Sequence, residues 1–337
     1  MKRILVAGGG GFIGGWLVKE LLSKGYSVVA VDIKPISEWY QAFPEAQNFT
    51  RDLSLLSECY ESSFGVNEIY NLAADMGGMG FIENHKAACM VTVLINTHLL
   101  MAAKQNGISK FFFASSACVY SADKQNETQA TPLKEEDAYP AMPEDGYGWE
   151  KLFSERMCRH FREDYGLETR IARYHNVYGP HGTWDGGREK APAALCRKIA
   201  EAKLKKSKEL NIWGDGEQTR SFTYIADCIE GTINLMESNI QEPLNIGSNQ
   251  MVSINELSEI IQSIAEVKLL PIYDLSAPKG VRGRNSDNTK IQKMLRWQPK
   301  ISLESGLKET YHWIENQLAK KLDAQESLLA SKNAIKS

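Results

Sequence analysis

The stretch RILVAGGGGFIG, residues 3–14, decides the fold of this chain. A short apolar run leads into closely spaced glycines, and a helical pattern follows. Gly8, Gly11 and Gly14 have the spacing GxxGxxG, which lets backbone N–H groups and a helix N-terminus face a pyrophosphate at close range. The segment therefore predicts the first strand, the phosphate loop and the first helix of a dinucleotide-binding domain.

A carboxylate at the end of the second predicted strand indicates which dinucleotide binds. Asp32 follows Gly14 by 18 residues, and a carboxylate there accepts hydrogen bonds from a ribose diol and repels a 2′-phosphate. The expected cofactor is therefore NAD rather than NADP. Asp52, in the segment RDL, has two interpretations: an adenine contact, or the N-cap of a helix over 53–60.

Strand and helix patterns alternate through the first half of the chain. Short β-rich runs separated by helices are typical of a parallel sheet covered on both faces and joined by right-handed crossovers. The predicted class is α/β, with a Rossmann-type doubly wound sheet over 1–176 to which 222–247 returns. A smaller α+β substrate lobe is predicted over 177–318. One long helix is expected over 82–106, and the polar tail 319–337 is expected to be flexible.

Composition excludes several classes of protein. The 337 residues are 43% hydrophobic and 24% charged, which is ordinary for a globular chain. A net charge of −3 gives no electrostatic reason to expect a nucleic-acid partner. No run of 18 apolar residues occurs, so a membrane span is not expected. The six cysteines have neither CxxC nor metal-binding spacing, which favours reduced thiols in the cytoplasm and no metal site.

A tyrosine and a lysine in the segment YGWEK are candidate catalytic residues. Tyr147 and Lys151 are four residues apart and share one face if 144–165 is helical. A nearby ammonium lowers the pKa of a phenol from about 10, and the phenolate can then take the proton of a sugar hydroxyl. Ser116 ends the predicted strand KFFFASS and is expected beside them. The alternative is an exposed amphipathic helix, which the glycine loop and Asp32 disfavour.

Six longer segments resemble the extended short-chain dehydrogenase/reductase family, whose members modify nucleotide sugars. They are LAADMGGMGFI (72–82), SSACVY (115–120), YGWEK (147–151), RYHNVYGPHGTWDGGREKAPAALCRK (173–198), WGDGEQTRSFTYI (213–225) and GVRGRNSDN (280–288). The resemblance covers roughly residues 2–318. It implies an NAD-dependent epimerase that acts on a GDP-mannose-type nucleotide sugar. Inversion of C3 and C5 through a transient 4-keto sugar would give GDP-L-galactose, or GDP-L-gulose when C5 alone inverts. It also implies a homodimer that pairs the helices around 82–106 and 147–165.

The resemblance assigns a role to each catalytic candidate. Tyr147 would deprotonate the C4 hydroxyl, with Lys151 lowering its pKa and holding the nicotinamide ribose. Ser116 would hydrogen-bond the C4 oxygen. Cys118 and Lys190 would be the acid/base pair at C3 and C5, working from opposite faces of the sugar. From the residues alone, Cys118 also fits a small buried apolar side chain, and Lys190 an ordinary loop charge.

The binding residues follow in the same way. The predicted cofactor contacts are Gly8, Gly11, Phe12, Ile13, Gly14, Asp32, Asp52, Tyr147 and Lys151. The substrate contacts that the resemblance implies are Gly77, Ser116, Ala117, Cys118, Asn176, Glu189, Lys190, Ala191, Lys198, Gln218, Thr219, Arg220 and Arg284. Lys198, Arg220 and Arg284 suit a pyrophosphate, because arginine forks match phosphate oxygens. Solvated surface charges are the alternative for these three.

The chemistry explains why an isomerase would need NAD. A C–H beside a hydroxyl is a very weak acid, and a positioned general base supplies only about 10²–10⁴ in rate. Oxidation of C4 makes the protons on C3 and C5 acidic, because an enolate spreads its charge onto oxygen. Two alternatives remain open: a 4-epimerase or 4,6-dehydratase of the same fold, and a non-catalytic NAD-binding protein. SSACVY lacks the acidic pair expected of a dehydratase.

Overall fold

The computed structural model describes residues 1–278 and 280–334. The strands in these residues are β1 (Arg3–Ala7), β2 (Ser27–Asp32), β3 (Gln47–Thr50), β4 (Glu68–Asn71), β5 (Lys110–Ser116), β6 (Glu168–Tyr174), β7 (Val177–Tyr178), β8 (Glu209–Trp213), β9 (Thr219–Ser221), β10 (Thr223–Tyr224), β11 (Leu244–Ile246), β12 (Met251–Ser253), β13 (Leu270–Asp274) and β14 (Gly283–Arg284).

The helices lie between these strands. They are α1 (Phe12–Ser23), α2 (Leu56–Ser63), α3 (Met79–Asn84), α4 (Lys86–Val91), α5 (Val93–Gln105), α6 (Asp145–Tyr165), α7 (Ala191–Lys205), α8 (Ile225–Glu237), α9 (Ile254–Ala265), α10 (Thr289–Leu295) and α11 (Leu303–Ala334). Short 3₁₀ turns cover Ile36–Glu38, Ala117–Val119, Ala122–Gln125 and Glu135–Ala138.

One parallel sheet organises the larger domain. Its strand order is β11–β6–β5–β4–β1–β2–β3. The chain builds outward from β1 on one side and then returns to β4 on the other, so a crevice opens at the carboxyl ends of these two strands. Apolar side chains of β1 are buried on both faces of the sheet, against two separate cores. This arrangement confirms the predicted fold class.

The smaller lobe is built from short strand pairs at the carboxyl edge of the sheet. β8 pairs with β13, β9 lies between β12 and β14, and β7 pairs with β10. After α8 the chain re-enters the large sheet, where Leu244 of β11 pairs with Ala172 of β6. The chain thus crosses between the lobe and the sheet more than once.

The long helix expected over 82–106 is instead three helices, so that prediction is wrong. The backbone leaves helical geometry at His85, whose ring stacks on Phe81 with 4.4 Å between centroids. Lys86–Gln105 is long and apolar enough, by length and composition only, to cross a membrane. Part of this stretch, including Asn96 and Leu99, is buried in the protein, which is typical of a core helix.

The tail was expected to be flexible from residue 319, but 319–334 continue α11 as a regular helix. The reason lies in the composition of the segment. It contains neither glycine nor proline and is rich in alanine, leucine and lysine, which have high helix propensity. The part of α11 that precedes it packs against α7 and α9. Residues 335–337 of the predicted tail lie outside the described residues.

Candidate active site

A cavity of about 450 Å³ lies between the carboxyl edge of the large sheet and the smaller lobe. Most of the predicted site residues line it. They are Gly77, Ser116, Ala117, Cys118, Tyr147, Asn176, Glu189, Lys190, Ala191, Lys198, Gln218, Arg220 and Arg284. The predicted residues that do not line it are Thr219, Lys151 and the cofactor contacts Gly8, Gly11, Phe12, Ile13, Gly14, Asp32 and Asp52. The fold therefore gathers segments from across the whole chain into one cavity.

The glycine loop between β1 and α1 leaves room for a ligand to approach the backbone closely. Gly8 has a φ of +82° and donates its N–H to Val31 O at 2.8 Å. A Cβ on Gly14 would lie 2.0 Å from Gly8 O, and Gly11 N donates to the same carbonyl at 3.0 Å. Only glycine fits at Gly14, so the loop has the shape that holds a pyrophosphate at a helix N-terminus.

The two predicted adenosine-side carboxylates differ in their surroundings. Asp32 ends β2, is buried, and accepts a hydrogen bond from Lys34 N at 3.0 Å, which leaves capacity for a ribose diol. Asp52 accepts from Ser54 N at 2.9 Å, whereas α2 begins only at Leu56. The N-cap interpretation of Asp52 is therefore wrong, and its adenine contact stays a prediction.

The two apolar cofactor candidates pack into the protein. Phe12 and Ile13 open α1 and lie partly buried against the larger core. The ring of Phe12 lies under the loop after β7, where a Cβ on Gly182 would be 3.0 Å from it. Their contact with a cofactor stays a prediction.

Ser116, Tyr147 and Lys151 meet where β5 ends beside the start of α6. The Ser116 hydroxyl accepts a hydrogen bond from Cys118 N at 3.2 Å and lies close enough to Tyr147 to oppose the rise of its pKa. Burial raises the pKa of Tyr147 well above its ordinary value, and the charges of Cys118 and Glu150 raise it further. Lys151 Nζ lies 5.6 Å from the centre of the Tyr147 ring. The pKa of Tyr147 is thus raised, not lowered as the sequence predicted.

A buried carboxylate beside Lys151 escaped the sequence analysis. Glu150 Oε2 lies 3.6 Å from Lys151 Nζ, and both side chains are almost fully buried. Burial raises the pKa of Glu150, while the neighbouring lysine opposes that shift. Glu150 offsets part of the field that Lys151 exerts on Tyr147. The spacing of YGWEK does not indicate that Glu150 points inward.

The proposed acid/base pair faces the same cavity from two different elements. Cys118 lies in the 3₁₀ turn after β5, and its carbonyl accepts from Glu144 N at 2.9 Å. Lys190 is the N-cap residue of α7. Burial lowers the pKa of Lys190, and the charges of Cys118 and Cys228 oppose that shift. A neutral amine is therefore easier to reach at Lys190 than at an exposed lysine.

Arg284 lies at the acid/base end of the cavity. Its Nη1 lies 3.6 Å from Cys118 Sγ, its Nε donates to Gln125 Oε1 at 2.6 Å, and its Nη2 pairs with the carboxylate of Glu144. The side chain is 5% exposed. Three protein groups thus engage the guanidinium, and its contact with a pyrophosphate stays a prediction. Gln125 and Glu144 were missed, since nothing in the sequence links them to Arg284.

Two further cations line the cavity, and one of them, Arg220, pairs in register with Arg284 between β9 and β14. Arg220 donates to Thr219 O at 2.7 Å and to Val281 O at 2.5 Å, and burial lowers its pKa to about 10. Lys198 Nζ donates to Asn211 O at 3.0 Å. The pyrophosphate contacts of Arg220 and Lys198 stay predictions.

Several predicted substrate contacts are engaged by the protein itself. The carboxylate of Glu189 binds Arg197 Nη2 at 2.9 Å and Gly187 N at 2.7 Å. The hydroxyl of Thr219 donates to Thr128 O at 2.5 Å, which turns it away from the cavity lining. Asn176 Nδ2 donates to Ser221 O at 3.0 Å.

Gln218 has an unused acceptor in the cavity wall. Its Nε2 donates to Trp213 O at 2.9 Å, while its buried Oε1 has no hydrogen-bond partner among the described residues. A buried amide oxygen of this kind costs about 1–3 kcal/mol unless a ligand donates to it. Gln218 therefore fits the donor groups of a bound nucleotide.

Comparisons with known proteins agree with this geometry. A family described as the NAD dependent epimerase/dehydratase family matches residues 4–247. The chain is 48% identical over 319 residues to GDP-mannose 3,5-epimerase 1 of Oryza sativa subsp. japonica, covering 94% of this chain and 83% of that one. It is 47% identical to GDP-mannose 3,5-epimerase of Arabidopsis thaliana over the same shares.

Solved structures share the whole architecture. The UDP-glucose 4-epimerase of Thermotoga maritima, solved with UDP-glucose, matches with a TM-score of 0.84 at 27% identity over 94% of this chain and 99% of that one. The UDP-glucuronic acid 4-epimerase of Bacillus cereus, solved with UDP-glucuronic acid and NAD, matches with a TM-score of 0.80 at 27% identity over the same shares. The chain therefore belongs to the NAD dependent epimerase/dehydratase family, which confirms the predicted NAD cofactor and the predicted class of enzyme.

Proposed function

We propose that this protein inverts C3 and C5 of GDP-mannose through a transient 4-keto sugar, giving GDP-L-galactose, and GDP-L-gulose when C5 alone inverts. One observation carries the proposal: a thiol and an amine with a lowered pKa, Cys118 and Lys190, face one cavity beside Ser116 and Tyr147. The plant relatives at 47–48% identity are named for this reaction.

The cofactor site supplies the oxidation on which the inversions depend. Gly8, Gly14 and Asp32 would hold the pyrophosphate and the adenosine ribose of NAD. NAD, when bound, accepts the hydride of C4 and later returns it.

Tyr147 removes the proton of the C4 hydroxyl and later returns it, while Ser116 binds the C4 oxygen. Because Tyr147 is buried, its phenolate needs a nearby positive charge, and Lys151 supplies one from the same helix face. Ser116 lines the cavity beside Tyr147, so its hydroxyl lies where it can bind the C4 oxygen. These contacts keep the oxygen oriented while its charge changes.

Cys118 and Lys190 carry out the inversions. One removes the proton from C3 or C5 and the other returns a proton to the opposite face of the ring. The guanidinium of Arg284 donates a hydrogen bond to the sulfur of Cys118 at 3.6 Å and so orients its side chain in the cavity. A 4-epimerase needs only the return of hydride to the other face of C4, so this pair favours the 3,5-epimerase over that alternative.

Product analysis tests the substrate. The protein with NAD is incubated separately with GDP-mannose, UDP-glucose and dTDP-glucose, and the sugars are identified by NMR spectroscopy. We expect GDP-L-galactose and GDP-L-gulose from GDP-mannose, and no product from a Tyr147→Phe variant. Epimerisation of UDP-glucose at C4, or dehydration of any of the sugars, with GDP-mannose unchanged would reject the proposal.

A second copy of the chain is proposed to cover an apolar face on α4, α5 and α6. Large apolar side chains are 38–55% exposed there, namely Met90, Val91, Leu94, Met101, Trp149 and Phe153. α6 packs against both α4 and α5, so these residues form one continuous face. Two such faces would pair as a four-helix seam. Sedimentation should give a dimer for the native protein and a monomer for Phe153→Glu, whereas a native monomer would reject the seam.

The proposed compartment is the cytoplasm. All six cysteines are buried and carry no disulfide within the described residues, which suits a reducing environment. Fluorescence microscopy of the tagged chain in its source cells tests this, and export of the tagged chain would contradict it.

A further inference from the structure

We propose that Arg197 is a positioning residue that fixes the loop 184–189 and thereby places Lys190 for proton transfer. The inference rests on the function proposed above, because it assumes that Lys190 moves a proton at the sugar. No role was assigned to Arg197 from the sequence.

One guanidinium holds both ends of this loop. Arg197 lies on α7, about two turns after Lys190. At the start of the loop, its Nε donates to Trp184 O at 3.1 Å and lies 3.6 Å from Asp185 Oδ1. At the end of the loop, its Nη2 donates to Glu189 Oε1 at 2.9 Å. The loop is thereby closed onto the helix that carries Lys190.

Apart from Arg197, the loop is attached by the buried side chain of Trp184, by a hydrogen bond from Gly78 N to Arg188 O at 3.0 Å and by an ion pair between Lys321 and Asp185. At its tip Gly186 and Gly187 have φ values of +91° and +86°, and a Cβ at either would meet nothing within 4 Å. Arg188 pairs with Asp75 at 2.6 Å, but both side chains are 44–48% exposed, and such pairs contribute only about 0–1 kcal/mol. Arg197 is 17% exposed and Glu189 is 8% exposed, so their pair is far better shielded from water.

Lys190 depends on this closure because it directly follows Glu189. On its helix side, Lys190 O accepts from Ala194 N at 2.9 Å. On its loop side, the attachment runs through Glu189 to Arg197. Without Arg197, the loop side of Lys190 would keep the backbone hydrogen bond from Gly78 N to Arg188 O at 3.0 Å but would lose the side-chain attachment of Glu189. Cys118, Ser116 and Tyr147 lie on β5 and α6 and on the turn between them, and would keep their places.

Arg197 acts through the loop because its donors are already used. Nε and Nη2 hold the loop, and Nη1 donates to Glu201 Oε1 at 3.0 Å within α7. The carboxylates of Asp185, Glu189 and Glu201 surround the guanidinium and compensate its charge. This surplus of negative charge makes Arg197 a poor ligand for a pyrophosphate.

The test separates the oxidation at C4 from the inversions. Oxidation uses Tyr147 and Ser116, whereas inversion also needs Lys190. In Arg197→Gln we expect the rate of nicotinamide reduction after GDP-mannose is added, measured by stopped-flow absorbance, to stay within about threefold of the native rate. Inversion, measured by NMR, should fall by about 100-fold, as expected for a displaced catalytic group. The KM for GDP-mannose should change by less than about threefold, because Arg197 does not bind the substrate.

Two further variants complete the test. Arg197→Lys keeps the charge but cannot span both ends of the loop, so it should recover only part of the inversion rate. Glu201→Gln is the matched control. It changes the Arg197–Glu201 pair, which lies outside the loop, and should leave the inversion rate within about twofold of the native rate. The proposal is overturned if reduction and inversion fall together in Arg197→Gln, if neither falls, or if Glu201→Gln behaves like it. Native protein that shows neither reduction nor inversion would instead reject the proposed function.

Discussion

The glycine loop gives the sharpest test of cofactor binding, through the substitution Gly14→Ala. A Cβ at Gly14 would lie 2.0 Å from Gly8 O, whereas real Cβ contacts essentially never fall below 3.0 Å. The loop or the helix must therefore move by at least about 1 Å, which also breaks the bond from Gly11 N to Gly8 O. Two hydrogen bonds to a charged pyrophosphate at about 1.5–3 kcal/mol each would be lost or misaligned. We expect the Kd for NAD to rise at least about 100-fold.

The adjacent residue is a matched control. A Cβ at Gly15 would have Cβ and Nε2 of Gln41, both at 3.1 Å, as its nearest neighbours, so the contact falls on a side chain and not on the phosphate loop. Gly15→Ala should also gain up to about 1 kcal/mol of helix propensity. Isothermal titration of each purified variant with NAD gives the Kd, and thermal unfolding reports folding. Equal NAD affinity of Gly14→Ala and Gly15→Ala would refute the proposed contact between loop and pyrophosphate.

Three further predictions address other parts of the site. Cys118→Ala should stop inversion at C3 and C5 while nicotinamide reduction still occurs in stopped-flow absorbance; normal epimerisation would exclude the thiol as acid or base. Asp32→Ala should raise the Kd for NAD about tenfold, because hydrogen bonds to the ribose are lost, and should reduce the preference for NAD over NADP. If titrations with the two dinucleotides show an unchanged preference, the role of Asp32 is contradicted. Burial lowers the pKa of His175 to about 4, so the unfolded chain binds a proton first as the pH falls from about 6.5 to 4. The free energy of unfolding should therefore fall by about 3 kcal/mol more in the native protein than in His175→Gln over that window. Urea titrations at each pH measure this, and an equal fall in the two proteins would refute the prediction.

Local signals in the sequence were sufficient for the cofactor domain. The spacing of Gly8, Gly11 and Gly14, and the distance to Asp32, reflect a strand, a turn and a helix that follow one another directly. Such features depend on neighbouring residues, so the parallel sheet and the cofactor loop could be predicted.

The electrostatics of the site depend on contacts that no local pattern contains. Arg284 meets Cys118 and Glu144 across 166 and 140 residues of chain. The raised pKa of Tyr147 comes first from burial, whereas its spacing to Lys151 reports only a shared helix face. The contacts of Arg197 with the loop 184–189 likewise form only because the loop folds back onto α7, and no local sequence pattern predicts that.

At the end of the chain, local composition was informative, but the property used for the prediction was polarity rather than helix propensity. The polar composition of 319–337 led to a prediction of flexibility, yet 319–334 are helical. Polarity reports the lack of a core, while helix propensity and the packing of the preceding turns of α11 decide the local structure.

Deuterium uptake from heavy water tests most directly whether C3 and C5 are deprotonated beside a transient ketone at C4. The native protein, loaded with NAD, is incubated with GDP-mannose in heavy water, and the recovered sugars are examined by NMR and mass spectrometry. We expect label at both C3 and C5 of GDP-L-galactose, at C5 of GDP-L-gulose, and at C4 of neither, since the hydride returns from the cofactor. Either product without deuterium at its inverted carbons, or with deuterium at C4, would contradict this mechanism.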